Sequence, residues 1–169
     1  MRQWIQRNVW LVVALIVLVV LFISSAMTYK QQTVVPLLHR LLAGQPGKQW
    51  LAGIHIHYAD GEVISLQHSG YFKMIEFFIR KFAHFATYFV LGLGVFYGLR
   101  GRLTPSWLRL PLAPLAVGGL AALDEFHQSL TGGRSPMVQD VILDMCGAFC
   151  AVLIAFCAGL IVNKLRGKK

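Results

Sequence analysis

The sequence predicts an all-α fold: a polytopic membrane bundle of four transmembrane helices with an amphipathic outer loop. Three observations predict it. Of 169 residues, 56% are hydrophobic and only 14% are charged, where an ordinary soluble domain carries about a quarter charged residues. Mean hydropathy is +0.60. Four apolar stretches approach or exceed the roughly 20 residues that a helix needs to cross the hydrocarbon core. Disorder is excluded, because it requires low hydrophobicity. The net charge of +9 does not point to nucleic acid, since the basic residues are scattered between apolar runs. No internal repeat or low-complexity segment divides the chain, so residues 1–169 read as a single membrane domain.

The first span is Val9 to Met27, which carries no charge. A cleaved signal peptide is its rival reading, with Arg2 and Arg7 as the basic region and Ser24-Ser25-Ala26 as the cleavage site. The apolar run exceeds the usual 7–15 residues or so of such a signal, which favours a retained span. The outer loop follows, over 28–81. Val34, Val35, Leu37, Leu38, Leu41 and Leu42 fall at helical spacing there, with Pro36 suited to a first turn. This segment is too short to span and is expected along the membrane surface. Trp50 to Leu66 alternates loosely around Asp60-Gly61, a hairpin signal.

The second span covers 82–99, extended on its N-terminal side by an amphipathic stretch from Gly70 to Lys81. The third covers 108–126, with Pro111 and Pro114 in its first turns, where proline is tolerated or adds a kink. The fourth covers 138–162. Thr131 to Pro136 is short and turn-rich, so the third and fourth helices should be adjacent and antiparallel.

With four spans, both termini share a side with the 99–108 loop. That side holds nine basic residues close to span ends: Arg2, Arg7, Arg100, Arg102, Arg109, Lys164, Arg166, Lys168 and Lys169. The positive-inside rule therefore places both termini in the cytoplasm of the cell (inner) membrane. The basic C-terminal cluster reads as a topology and anionic-lipid signal, with no nucleic-acid partner.

Ionisable groups inside spans are costly and normally find protein or water partners. At about 100° per residue, Lys81, His84, Tyr88 and Gly92 lie within about an 80° arc of the second helix. Phe82, Phe89 and Phe96 stay out of the middle of that arc. On the third helix Asp124 and Gln128 stack, flanked by Glu125 and His127. On the fourth, Asp140, Asp144 and Gly147 stack, and the glycine lets a neighbouring helix approach. Aligning the outer ends gathers Lys81, His84, Tyr88, Asp124, Glu125, Gln128, Arg134, Asp140 and Asp144 into one polar hollow. Four carboxylates there face the cations Lys81 and Arg134.

Such a hollow can grip an anionic or polar group, perform acid–base chemistry, or hold a divalent cation. The bland alternative is a set of ion pairs that fix helix register. His127 is expected to face headgroups or its own helix. His55 and His57 could bind a metal on a strand face, but no further ligand sits nearby. Cys146, Cys150 and Cys157 share a stripe of the fourth helix and read as small packing residues. Ser24 and Ser25 are suited to hydrogen bonds across helices. The sequence holds no Gly-rich phosphate loop, no H-E-x-x-H and no G-x-S-x-G.

Three of these segments carry a family pattern. Lys81, His84-Phe85, Tyr88 and Leu91-Gly92 resemble the K-x-x-H-F-x-x-Y-x-x-L-G signature of VanZ-like membrane proteins. Asp124-Glu125, Gln128 and Gly133-Arg134 resemble that family's D-E-x-x-Q…G-R element. Asp140, Asp144 and Gly147 are similar to its D-x-x-x-[N/D]-x-x-G element, with Asp144 where Asn is common. The resemblance implies a four-helix integral membrane protein acting at the cell envelope. The family is named for a member linked to teicoplanin resistance, and that link does not extend to this chain by itself.

Two functional expectations follow. In the first, the pocket binds an envelope component: a lipid headgroup, a lipid-linked glycan or precursor, or a glycopeptide. Lys81 and Arg134 hold its anionic part, and Asp124, Glu125 and Asp140 orient a polar part, with Tyr88, Gln128 and Asp144 completing the wall. In the second, a membrane-embedded hydrolase or transferase acts on a lipid phosphate or glycan. His84 or Glu125 is then the acid/base, and Asp124, Asp140 and Asp144 hold a divalent metal. A non-catalytic scaffold is the third.

Overall fold

The computed structural model describes residues 2–58, 61, 63–131 and 137–166. Seven helices and one small hairpin are present among them: α1 (Arg2–Ser25), α2 (Tyr29–Gln32), α3 (Val35–Leu41), α4 (Lys48–Leu51), β1 (His55–His57), β2 (Val63–Ser65), α5 (Tyr71–Gly98), α6 (Arg109–Leu130) and α7 (Val138–Arg166). The four long helices form the bundle. Helix α5 packs against α1, α6 and α7, and α6 packs along α7.

Three of the four long helices have stretches long and apolar enough to cross a membrane: Asn8–Ser25, Ser106–Leu130 and Val138–Arg166. The sequence reading expects a fourth in α5. That helix is continuous, as expected, from the amphipathic stretch into the apolar one. It falls outside the set because Lys73, Glu76, Arg80 and Lys81 occupy its first half, while His84, Tyr88 and several glycines dilute its second.

Small residues set the helix spacing. A Cβ on Gly92 would lie 2.8 Å from the Ala148 Cα, and one on Gly147 only 2.5 Å from the Phe85 carbonyl oxygen. The backbones of α5 and α7 therefore touch, as in tightly packed membrane helices. Gly94 admits Ala14 of α1 in the same way. Around this seam sit Tyr88, Leu91, Val117, Ala121 and Ala148, all completely buried. A second cluster of Phe96, Ala113, Val152 and Ala155 lies towards the α5 C-terminus. Phe96 thus packs inside, whereas Phe82 is 74% exposed.

The segment between α1 and α5 folds over the N-terminal end of α5. Its anchor is Glu76, 1% exposed. The Tyr29 hydroxyl donates to Glu76 Oε2 at 2.9 Å and the Val34 amide to Oε1 at 2.7 Å. Burial pushes this carboxyl upward, but hydrogen bonds from Thr33, Val34 and Tyr29 and the nearby Arg80 charge outweigh it, so its pKa is lowered. Helix α3 forms where expected, with Pro36 in its first turn and Leu38 buried. The hairpin also forms, with Ile56 opposite Ile64. Asp60 of its turn lies outside the described residues. Gly70 opens α5 at φ +77°, a backbone conformation that side chains disfavour.

The cysteines are free, and Cys146 and Cys157 are exposed on the outside of α7. They are not core packers, because the α7 core face is taken by Gly147, Ala148, Ala151 and Ala155.

Candidate functional site

Three successive turns of α5 each present one polar side chain to a carboxylate on another helix. Lys81 Nζ donates to Asp140 Oδ1 of α7 at 2.5 Å. His84 Nδ1 lies 3.5 Å from Asp144 Oδ2, one turn further along α7. The Tyr88 hydroxyl donates to Asp124 Oδ2 of α6 at 3.1 Å. The rungs follow from the i, i+4 spacing of α7 and the i, i+3 and i+4 spacing of α5, two parallel helices in backbone contact.

A polar cavity of about 610 Å³ lies over these rungs, between the bundle and the α1–α5 segment. Lys81, His84, Glu125, Gln128 and Asp140 line it. Asp144 is 1% exposed and sits behind His84. Tyr88 and Asp124 do not line the cavity. They line a separate apolar crevice between α1 and α6. Gln128 Nε2 donates to Asp124 Oδ2 at 3.0 Å, so a Tyr88–Asp124–Gln128 partition divides the two spaces. The single expected hollow is thus two compartments. Arg134 lies outside the described residues, with the rest of the Gly132–Pro136 turn.

Most carboxylates of the cavity are already satisfied. Asp140 accepts from Lys81 and from the Tyr58 hydroxyl. Glu125 Oε2 accepts the Met137 amide at 3.0 Å, and Glu76 accepts from Tyr29 and Val34. Burial, together with the hydrogen bond to Asp140 and that group's charge, raises the Tyr58 phenol well above its ordinary value, so it remains a donor. Two groups stand otherwise. Arg80 Nη1 is buried with no hydrogen-bond partner among the described residues, while Nη2 leans on Gln32 and the guanidinium covers the Tyr29 ring. Neither buried oxygen of Asp144 has a hydrogen-bond partner either.

A divalent metal does not fit the three aspartates proposed for it. Asp124, Asp140 and Asp144 each serve a different α5 side chain, and no three His, Cys, Asp or Glu groups converge as a metal site among the described residues. His55 and His57 belong to an exposed strand face with no third ligand among the described residues.

His127 turns out to link helices. Its Nδ1 is 2.9 Å from Ser25 Oγ, and its ring stacks on Phe22 at 4.8 Å. Ser25 therefore does bond across helices. The contribution of Lys73, Arg80, Tyr29 and Tyr58 to the cavity wall escapes the sequence reading. For Lys73 and Arg80 a signal existed: Lys73, Phe77, Lys81 and His84 continue one stripe of α5 at i, i+4 and i, i+3 spacing, with Arg80 at its edge. Tyr29 and Tyr58 had none, because only tertiary folding of the loop brings them in.

No curated protein and no solved structure matches the chain. The VanZ/LLP1 family profile matches residues 10–161, nearly the whole sequence and all three polar motifs. The three rungs and the glycine seam are built from those motif positions, and this chain belongs to the VanZ/LLP1 family of membrane proteins.

Proposed function

We propose that this is a multi-pass protein of the bacterial cell membrane, with both termini cytoplasmic and a pocket that opens outward onto the anionic group of an envelope component. Packing supports four spans. The apolar half of α5 lies in backbone contact with α7 at Gly92 and with α1 at Gly94. If α1 and α7 cross the bilayer, α5 crosses with them. The candidate ligands are a lipid headgroup, a lipid-linked glycan or precursor, and a glycopeptide.

The observation that carries this reading is the charge state of the cavity wall. Its carboxylates are occupied by protein donors, while the Arg80 guanidinium, whose charge acts on Glu76, keeps Nη1 buried with no hydrogen-bond partner among the described residues. A buried donor without an acceptor is costly, and an incoming phosphate or carboxylate oxygen relieves it. Arg80 therefore joins Lys81 in the anion-holding role expected of Lys81 and Arg134, with Lys73 beside it.

The test is retention of anionic lipid by the full chain in phosphatidylcholine nanodiscs doped with phosphatidylglycerol. Arg80→Gln should lower retention about 10–100-fold, as loss of a charge-assisted hydrogen bond implies. Equal retention by wild type and variant overturns the reading.

One observation favours a second reading. His84 lines the cavity with the unsatisfied, buried Asp144 behind its Nδ1. A carboxylate so placed orients an imidazole for acid–base work, here hydrolysis or transfer on a lipid phosphate or glycan. Envelope lipids and glycans compared with and without the protein test it. His84→Ala and Glu125→Gln should then both erase any difference at normal protein levels. Variants that only lower the amount of protein would favour a scaffold.

A further inference from the structure

The apolar crevice between α1 and α6 has a volume of about 540 Å³ and is walled by Leu18, Val19 and Phe22 on one side and Leu120, Leu123 and Phe126 on the other. It runs from Leu120 to Leu130, ten residues or roughly 15 Å of helix rise. That is half of the roughly 30 Å hydrocarbon core. Both walls belong to helices apolar enough to cross the membrane, and the rim residues Val19, Phe22, Leu123 and Phe126 are half or more exposed. Ser25 and His127 line it towards Leu130, and Asp124 with Tyr88 lines it about midway. The Tyr88–Asp124–Gln128 partition stands between this polar stretch and the cationic cavity, because Gln128 lines the cavity while the Asp124 it bonds lines the crevice.

We infer that the crevice holds one hydrocarbon chain of a membrane lipid from the outer leaflet, the same molecule whose anionic headgroup lies in the cavity. This rests on the headgroup reading above and narrows it to a chain-bearing ligand. The crevice adds no hydrophobic drive, since a chain leaving lipid for Leu and Phe side chains gains little. What it provides is position: a slot one leaflet deep whose polar stretch abuts the headgroup site. A soluble headgroup needs the cavity alone, and a lipid needs both.

Filling the slot separates the two. Leu123→Trp and, from the facing helix, Val19→Trp change exposed side chains and leave the core clusters intact. Full-length protein is purified from nanodiscs containing dioleoyl phosphatidylglycerol in phosphatidylcholine, and retained lipid is counted by native mass spectrometry. Glycerol phosphate binding is measured in parallel by calorimetry. Retained phosphatidylglycerol should fall about tenfold in both variants, the size of an overpacking penalty read as an affinity, with glycerol phosphate binding unchanged. Unchanged lipid retention in both variants overturns the inference and leaves the headgroup reading standing. Loss of lipid and glycerol phosphate together overturns it too, because the crevice would then support the cavity's fold and not a chain. A wild-type protein that retains no phosphatidylglycerol overturns both readings.

Discussion

Lys81 Nζ stands 2.5 Å from Asp140 Oδ1, and the Tyr58 hydroxyl donates to the same oxygen. One carboxylate oxygen thus joins α5, α7 and the segment beyond β1. Lys81 lies over the Tyr58 ring as well, 4.3 Å from its centroid. Lys81→Met leaves Asp140 without its cation at the start of an apolar helix. The expected cost is about 1–3 kcal/mol, the loss from an unmet charge-assisted partner, or a fall of about 2–10 °C in Tm in detergent. Asp140→Met alone should cost a similar amount. The double variant should cost less than the sum, because replacing both partners by apolar groups avoids the stranded charge. Strict additivity would mean that the pair contributes nothing.

The glycine seam gives a sharper contrast. Gly147→Ala sets a methyl against the Phe85 backbone, and Gly92→Ala sets one against the Ala148 backbone. Backbone cannot swing aside as a side chain can, so each should cost about 1–3 kcal/mol. Gly119→Ala in α6 meets nothing within 4 Å. It should raise stability, by up to about 1 kcal/mol, through helix propensity alone. Thermal unfolding of the three variants side by side checks the order, and a destabilised Gly119→Ala would contradict the open surface at that site.

The rungs were legible in the sequence because helical arithmetic is local. Lys81, His84, Tyr88 and Gly92 fall on one arc by spacing alone, and that arc does face α6 and α7. What spacing could not set was the rotation of α6. Asp124 faces Tyr88 and the α1 side, and Glu125 faces the Met137 turn, so neighbours in sequence line different compartments. Tyr29, Tyr58 and Glu76 were illegible as partners for another reason. Their contacts span 42 to 82 residues of chain and depend on how the loop docks, which no periodicity records.

Docking of that loop should depend on acid in one direction. Glu76 has its pKa lowered from an ordinary 4.5 by the groups it accepts from. A depressed carboxyl stabilises the fold fully above its unfolded value, and that contribution drains away as pH falls through the folded value. Hydrogen-exchange protection of the Val34 amide should therefore persist from neutral pH down to about 4.5 and decline only below it. Glu76→Gln keeps much of the shape but loses the charge, and should cut that protection already at pH 7. Protection that declines between pH 7 and pH 5 in the wild-type chain would show that a different group holds the segment.

Orientation is open to direct labelling. In a four-span chain, nine basic residues near span ends would share the side of the termini and the 99–108 loop, and the other seven would lie mostly in the long loop on the opposite side. In a chain with Cys146, Cys150 and Cys157 replaced, Gly133→Cys should react with a membrane-impermeant maleimide on intact cells. Arg100→Cys should react only after the membrane is opened. The pair also decides whether α6 crosses. Position 100 follows α5 and position 133 follows α6, so labels on opposite sides require α6 alone to cross between them. Adding Lys48→Cys in the α1–α5 segment then settles α5: labelling of 48 with 133, and not with 100, requires α5 to cross. Labelling of 48 and 100 from the same side would leave α5 outside the bilayer. The cavity would then lose its outward opening, and with it the physical basis for capturing a headgroup from the outer leaflet.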